Sequence, residues 1–149
     1  MDRSELVELA KSILDKGYLM SLGVTDESGV WVCDVIYVHD DAMNVYWVSD
    51  PEVRHSQAIH KNGQVAATIT VSNNPGEDNV GIQLQGIAEK LDGEIHKLAV
   101  KHRLKRKKPA PAEGEEFLED GESWYKLTPK KIDIIFEPKF GFDKQIVEL

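Results

Sequence analysis

After Gly17 the hydrophobic period of this chain changes from helical to alternating, and that switch limits the fold more than any other feature. Ahead of it, residues 3–16 place Leu6, Ala10, Ile13 and Leu14 on one helical face. Asp2 and Glu5 have the spacing of a capping box, and Gly17 suits the helix stop. Beyond it, Tyr18–Val24, Val30–Val38 and Ala42–Ser49 are rich in β-branched and aromatic residues, with turn formers at Asp26–Gly29 and His39–Asp41 between them. They are expected to form a three-stranded antiparallel meander. Residues 51–61 read as a short helix, and Gln64–Val71 and Val80–Leu91 as two more strands around the turn-forming loop Ser72–Gly76. A longer helix is expected from Asp92 to about Lys108, with Ile95, Leu98 and Ala99 inward, broken by Pro109-Ala110-Pro111. Glu122–Leu127 and Ile132–Glu137 read as two strands joined through Thr128-Pro129, and the mixed tail Phe140–Leu149 suits packing on a partner.

Six or seven short strands with sparse helices point to a mainly β fold with peripheral α-helix: an antiparallel barrel, closed or nearly so, because closure removes exposed edges. A doubly wound nucleotide-binding sheet is excluded. The helices do not alternate with strands, and no G-x-G-x-x-G follows the first strand. At 149 residues the chain suits one domain. A net charge of −8 argues against a general nucleic-acid or anionic-membrane binder. The charged Met1–Glu5 start has no apolar signal core, so the cytoplasm is the expected location. The single cysteine, Cys33, rules out an internal disulfide; set among apolar residues, it is expected to be a buried, inert thiol.

Chemistry concentrates in Val45-Tyr46-Trp47-Val48-Ser49-Asp50-Pro51-Glu52-Val53-Arg54-His55-Ser56, where an apolar strand runs into a helix start. Ser49 or Asp50 suits the cap, Pro51 the first turn, and Ser49 with Glu52 a capping box. A helix N-terminus followed by Arg54-His55, with the Ser49 or Ser56 hydroxyl, has the donors and charge for a phosphate. The plainer reading is a surface helix whose arginine pairs with Glu52 or another carboxylate. Gln83 and Gln85 alternate with Ile82 and Leu84, which puts both amides on one side of a strand, as readers of a planar ring's polar edge or as a solvent face. Lys101–Lys108 carries six formal positive charges without interleaved aromatics; a solvated helix end explains it more simply than nucleic acid or a second phosphate. The five histidines show no metal-ligand spacing, and no G-x-S-x-G elbow occurs.

The order of these segments resembles the pyridoxamine-5′-phosphate oxidase-like, FMN-binding split barrels, over nearly the whole chain. The anchors are Val53-Arg54-His55-Ser56-Gln57, the Gln64–Thr70 strand, Gly81-Ile82-Gln83-Leu84-Gln85-Gly86-Ile87-Ala88-Glu89, Trp124–Ile132 and Phe140-Gly141-Phe142-Asp143-Lys144. The resemblance implies a split antiparallel β-barrel, a homodimer with FMN at the subunit interface, and hydride or electron transfer to a small molecule. It implies that Arg54 and His55 grip the FMN phosphate where many relatives carry Arg-Lys, with Val48, Ser49 and Ser56 beside them. The Cys33–Val38 backbone would lie along the flavin, and Gln83 and Gln85 would reach across the interface. His55 in place of a permanent cation makes the grip weaker and pH-dependent. The position of the founding oxidase's flavin-contacting glutamine falls on Gly81, and that enzyme's C-terminal basic substrate motif has no counterpart, so oxidation of pyridoxamine phosphate is not expected. The alternatives are a split barrel using a deazaflavin or haem, with His39, His55 or His60 as axial-ligand candidates, and a cofactor-free scaffold dimer.

Overall fold

A computed structural model describes all 149 residues. The chain runs α1 (Arg3–Lys16), β1 (Leu19–Asp26), β2 (Gly29–Ile36), β3 (Val38–His39), β4 (Val45–Ser49), α2 (Arg54–Lys61), β5 (Gln64–Thr70), β6 (Val80–Lys90), α3 (His96–Lys105), β7 (Ser123–Phe136), α4 (Glu137–Phe140) and β8 (Gln145–Val147). The strands form one antiparallel sheet in the order β2-β1-β5-β6-β7-β4-β3, with β8 also paired to β7. The two ends of that order, β2 and β3, are separated in the chain by Tyr37 alone. The sheet therefore curls until its ends meet, which is the antiparallel barrel expected from the segment pattern and the split barrel that the resemblance implies.

Tyr37 is fully buried at that junction, and its hydroxyl donates to the Leu14 carbonyl at the end of α1 (2.7 Å). Gly17 is there for space: a Cβ would collide with the Tyr37 hydroxyl and Ile69. The capping box at Asp2 and Glu5 forms as the spacing predicts. Inside the barrel, one 24-residue apolar cluster gathers the alternating residues of the strands, with Trp47 stacked on Tyr125 at 5.9 Å. A smaller cluster of Val38, Leu98, Ala99 and Trp124 seats α3 on the outside of β3 and β7.

Three expectations are corrected. The first three strands are not a meander. β1 and β2 form the expected hairpin, but β4 pairs with β7 along Val45–Ser49, and only short β3 lies on its other side. Val45 and Trp47 are completely buried, and the curled sheet supplies that cover through β7, a strand some 80 positions later. The two C-terminal strands are one. β7 passes through Pro129, which has no N–H to donate, at a bulge where the register opposite Gln85/Gly86 shifts by one residue. The longer helix is shorter than read: α3 starts at His96 rather than Asp92 and ends at Lys105, with Lys107 in the left-handed region (φ 58°) before Pro109.

Candidate functional site

β4 ends at Ser49, and the chain turns through Asp50–Val53 before α2 begins at Arg54. The expected cap is not made. Val53 is the N-cap without a side-chain bond, Asp50 Oδ1 instead accepts from Glu52 N (2.9 Å), and Ser49 turns away from the helix backbone. Arg54, His55 and Ser56 consequently occupy the first turn itself, where backbone amides have no intrahelical acceptor. Ser49 Oγ and His55 Nε2 are hydrogen-bonded at 2.8 Å, and the fully buried Ser56 donates to Ser49 Oγ at 3.4 Å. Burial pushes the His55 pKa below its ordinary value, so the ring leans to its neutral form in the chain by itself.

Val48, Ser49 and His55 line an open cleft of about 650 Å³, within the range of small-molecule sites. Its first wall is β2, through Asp34, Val35 and Ile36. The facing wall is α3 and the segment after it: His102, Arg103, Arg106, Lys108 and Phe117. Glu119 and Glu122 stand at the same opening. Phe117 is held in place by Glu94, whose carboxylate accepts from the Phe117 and Leu118 amides (3.1 and 2.9 Å), and its ring stacks on Trp124 at 5.5 Å. His102 packs edge-on against that stacked pair. It is only 7% exposed, and burial, with the charges of Arg106, Lys105 and Arg103 added, lowers its pKa to about 4. His102 Nδ1 and Trp124 Nε1 are sealed from solvent without a partner.

The other sequence-derived residues lie elsewhere. Arg54 points to the β1–β2 hairpin, where its Nε and Nη2 donate to the two carboxylate oxygens of Asp26 (2.8 and 3.1 Å) and its guanidinium lies 4.4 Å from the Trp31 ring centre. That bond holds the Asp26 carboxyl below the usual carboxylate range. This is the paired-arginine arrangement, with Asp26 rather than Glu52 as partner. Gln83 and Gln85 do share one side of β6, facing away from the core. Gln83 Oε1 accepts from Lys144 Nζ (2.8 Å), while Gln85 borders a separate groove of about 520 Å³ with Val30 and Lys130. Neither lines the Ser49–His55 cleft of its own chain. Cys33 is half-buried, and desolvation, helped by the Asp34 charge, raises its pKa to about 11, which keeps the thiol protonated.

Five of the six cations in the basic run, read as a solvated helix end, divide three ways. Lys101 Nζ donates to the His39 carbonyl (2.7 Å), Lys105 Nζ lies 3.7 Å from the Tyr37 ring centre with its pKa lowered to about 8 by burial, and Arg103, Arg106 and Lys108 face the cleft. These last three, with His102 and Phe117, are site residues the sequence reading did not select. The charge run was visible; its orientation was not. No three His, Cys, Asp or Glu side chains gather as a metal site, and no helix is long and apolar enough to cross a membrane.

No protein-family model matches the chain, and no curated protein matches it by sequence. Solved structures match it by shape. A putative pyridoxamine 5′-phosphate oxidase from Listeria innocua superposes with a TM-score of 0.69 at 18% identity, over 87% of this chain and 98% of that one. A FAD-binding protein from Mesorhizobium loti gives 0.61 at 16% identity, over 89% of this chain and 90% of that one. A haem-binding protein from Mycobacterium smegmatis gives 0.67 at 16% identity, over 95% of this chain but 57% of that one. At these identities the likeness establishes a shared split-barrel fold and no ligand.

Proposed function

We infer that this chain binds a flavin, FMN, in the cleft between β2, β4, α2 and α3, and uses it to oxidise or reduce a small molecule. The observation that carries this reading is the cleft's lining. One space combines a strand wall (Val35, Ile36, Val48), a helix N-terminus with the Ser49 hydroxyl and His55, and cations without carboxylate partners (Arg103, Arg106, Lys108). A planar body with a phosphate tail fits that division between apolar wall and anion-attracting end. Ser49 Oγ and the first-turn amides of α2 would hold the phosphate, with His55 beside it and Arg54 as the nearby charge. The β2 backbone would flank the ring. Bound there, the flavin supplies the hydride or electron chemistry, and the protein's part is to hold and orient it and to set its surroundings.

A second copy of the chain completes this reading. β2 ends the sheet order, and it exposes Val30 (76%), Trp31 (43%) and Val32 (59%) in a row. An exposed apolar edge strand invites pairing, and a homodimer would cover it. Gln83 and Gln85, which face outward, are then the contacts offered across the interface.

The haem alternative finds the Nε2 of each axial candidate already engaged: His39 with Asp15 (2.7 Å), His55 with Ser49 (2.8 Å) and His60 with the Tyr125 hydroxyl (3.0 Å). The visible spectrum of the purified protein, followed by titration with FMN, separates the readings. Flavin bands, or saturable quenching of FMN fluorescence, are expected. A Soret band, a deazaflavin spectrum, or a colourless protein indifferent to FMN would each reject the assignment.

A further inference from the structure

The α3 end of the cleft has features the phosphate end does not explain. Arg103, Arg106 and Lys108 face one space, and no carboxylate lies within ion-pairing distance of any of them. The carboxylates at that opening, Asp34, Glu119 and Glu122, are otherwise occupied or free: Asp34 accepts from Ser21 Oγ (2.7 Å) and Glu122 from the Glu119 amide (2.8 Å). Charge concentrated in this way, in a chain of net charge −8, is not the general surface pattern.

His102 sits among these cations as a neutral ring. A neutral imidazole carries one proton, on one nitrogen or the other. Its Nδ1 is sealed without an acceptor, and Nε2 also has no partner in the chain but is not among the sealed atoms, so it is the nitrogen with access to the cleft. A proton on Nδ1 would bury an unmade N–H donor; a proton on Nε2 leaves only a lone pair unmade inside. Orphaned buried N–H groups are the rarer defect, so the proton belongs on Nε2. Phe117 and Trp124 pack edge-to-face against the ring at 5.3 and 5.9 Å. The cleft is therefore offered an oriented neutral donor flanked by guanidinium groups whose forks match a tetrahedral or planar oxyanion.

We propose that the α3 end of the cleft is a second oxyanion subsite, in which Arg103, Arg106, Lys108 and the Nε2–H of His102 take a phosphate or carboxylate group. With the single FMN phosphate assigned to the start of α2, that group belongs to the molecule that reacts beside the cofactor. Its place in a flavin site rests on the reading above; the subsite itself does not.

The test is a titration of full-length, isotope-labelled protein with inorganic phosphate. It is followed by NMR at the His102 ring nitrogens and the Arg103 and Arg106 Nε–H signals, with and without FMN. Saturable shifts at all three residues are expected, with the apparent Kd at least tenfold weaker in Arg103→Gln/Arg106→Gln. Lys108→Gln, on an exposed residue past the helix, should weaken it in the same sense and serves if the double variant does not fold. Phosphate that still titrates His102 in FMN-loaded protein assigns the group to a second, anionic ligand. Phosphate excluded by FMN would place the cofactor's single phosphate here and not at the start of α2, and would overturn the second subsite. Protein that ignores FMN yet titrates with phosphate at His102 keeps the subsite and removes the flavin reading. No saturable shift at His102, or shifts that both variants leave intact, overturns the proposal.

Discussion

Arg54 and His55 are adjacent in sequence and face different tasks. Arg54 spends two of its donors on Asp26 and its flat face on Trp31, leaving Nη1 without a partner, whereas His55 faces the cleft through Ser49. If Arg54 supplies charge to a phosphate at the α2 N-terminus, Arg54→Ala should weaken FMN binding about tenfold, the scale of one charge-assisted contact, while riboflavin, which has no phosphate, binds as before. Equal effects on both ligands, or none, would make Arg54 a clamp on the β1–β2 hairpin only. His102 gives a prediction about pH. Its folded pKa of about 4 lies below the ordinary 6.5, so between those values the unfolded chain binds the extra proton. The contribution of this ring is therefore constant above pH 6.5 and falls as pH drops towards 4, by up to about 3 kcal/mol. Urea melts across that range should show the slope, and His102→Gln should reduce it. A slope unchanged in the variant would place the titration elsewhere. Nothing in the sequence marked His102 as buried: inside a run of lysines and arginines it looked like one more polar residue. Its burial comes from Trp124 and Phe117, which arrive from 15 to 22 positions away.

At the scale of elements, the clearest case is the crossing of β6 and β7. Gly86 lies opposite Pro129, and a Cβ there would run into the Thr128 carbonyl oxygen and Pro129, both backbone and unable to swing aside. Gly86→Ala should destabilise the fold by about 2 kcal/mol, within the usual cost of overpacking, read as a lower denaturation midpoint. A neutral result would mean the bulge can slide. In the sequence, Pro129 looked like a break between two strands, because proline removes a ladder donor. The bulge lets one long strand tolerate it, and bulges depend on the partner strand, which a local reading does not see. The α2 start was misplaced for a related reason. Ser49, Asp50 and Pro51 have the right chemistry for a cap, but Ser49 is the last residue of β4 and pairs with Ser123, so the helix begins only after a turn. Element types were legible wherever apolar residues kept a clear period, as in α1, β5 and β6; the α2 boundary moved because β7 holds the residue that would cap it.

For the whole molecule, the exposed edge at Val30, Trp31 and Val32 makes the strongest demand on assembly. Light scattering should give twice the 16.8 kDa chain mass. Val30→Lys/Val32→Lys should shift the population to monomer and lower FMN affinity with it, if the second copy completes the cofactor site. A wild-type monomer at micromolar concentration would end the dimer reading. Monomerisation that leaves FMN affinity intact would confine the site to one chain. By itself the sequence determined that this is an antiparallel β structure with a capped N-terminal helix, because alternation, turn residues and capping pairs act over a few neighbours. It also marked the Ser49–Ser56 segment as a candidate anion site, while the Lys101–Lys108 charges read as a solvated helix end. Only the tertiary structure decided that β4 joins β7, that Tyr37 closes the barrel, and that Ser49 and His55 share one cleft with Arg103, Arg106 and Lys108. It also turned Arg54 to Asp26 and set Gln83 and Gln85 outside that cleft. Those choices depend on which apolar faces cover one another across long stretches of chain, and local pattern carries no information about where a strand finds its partner.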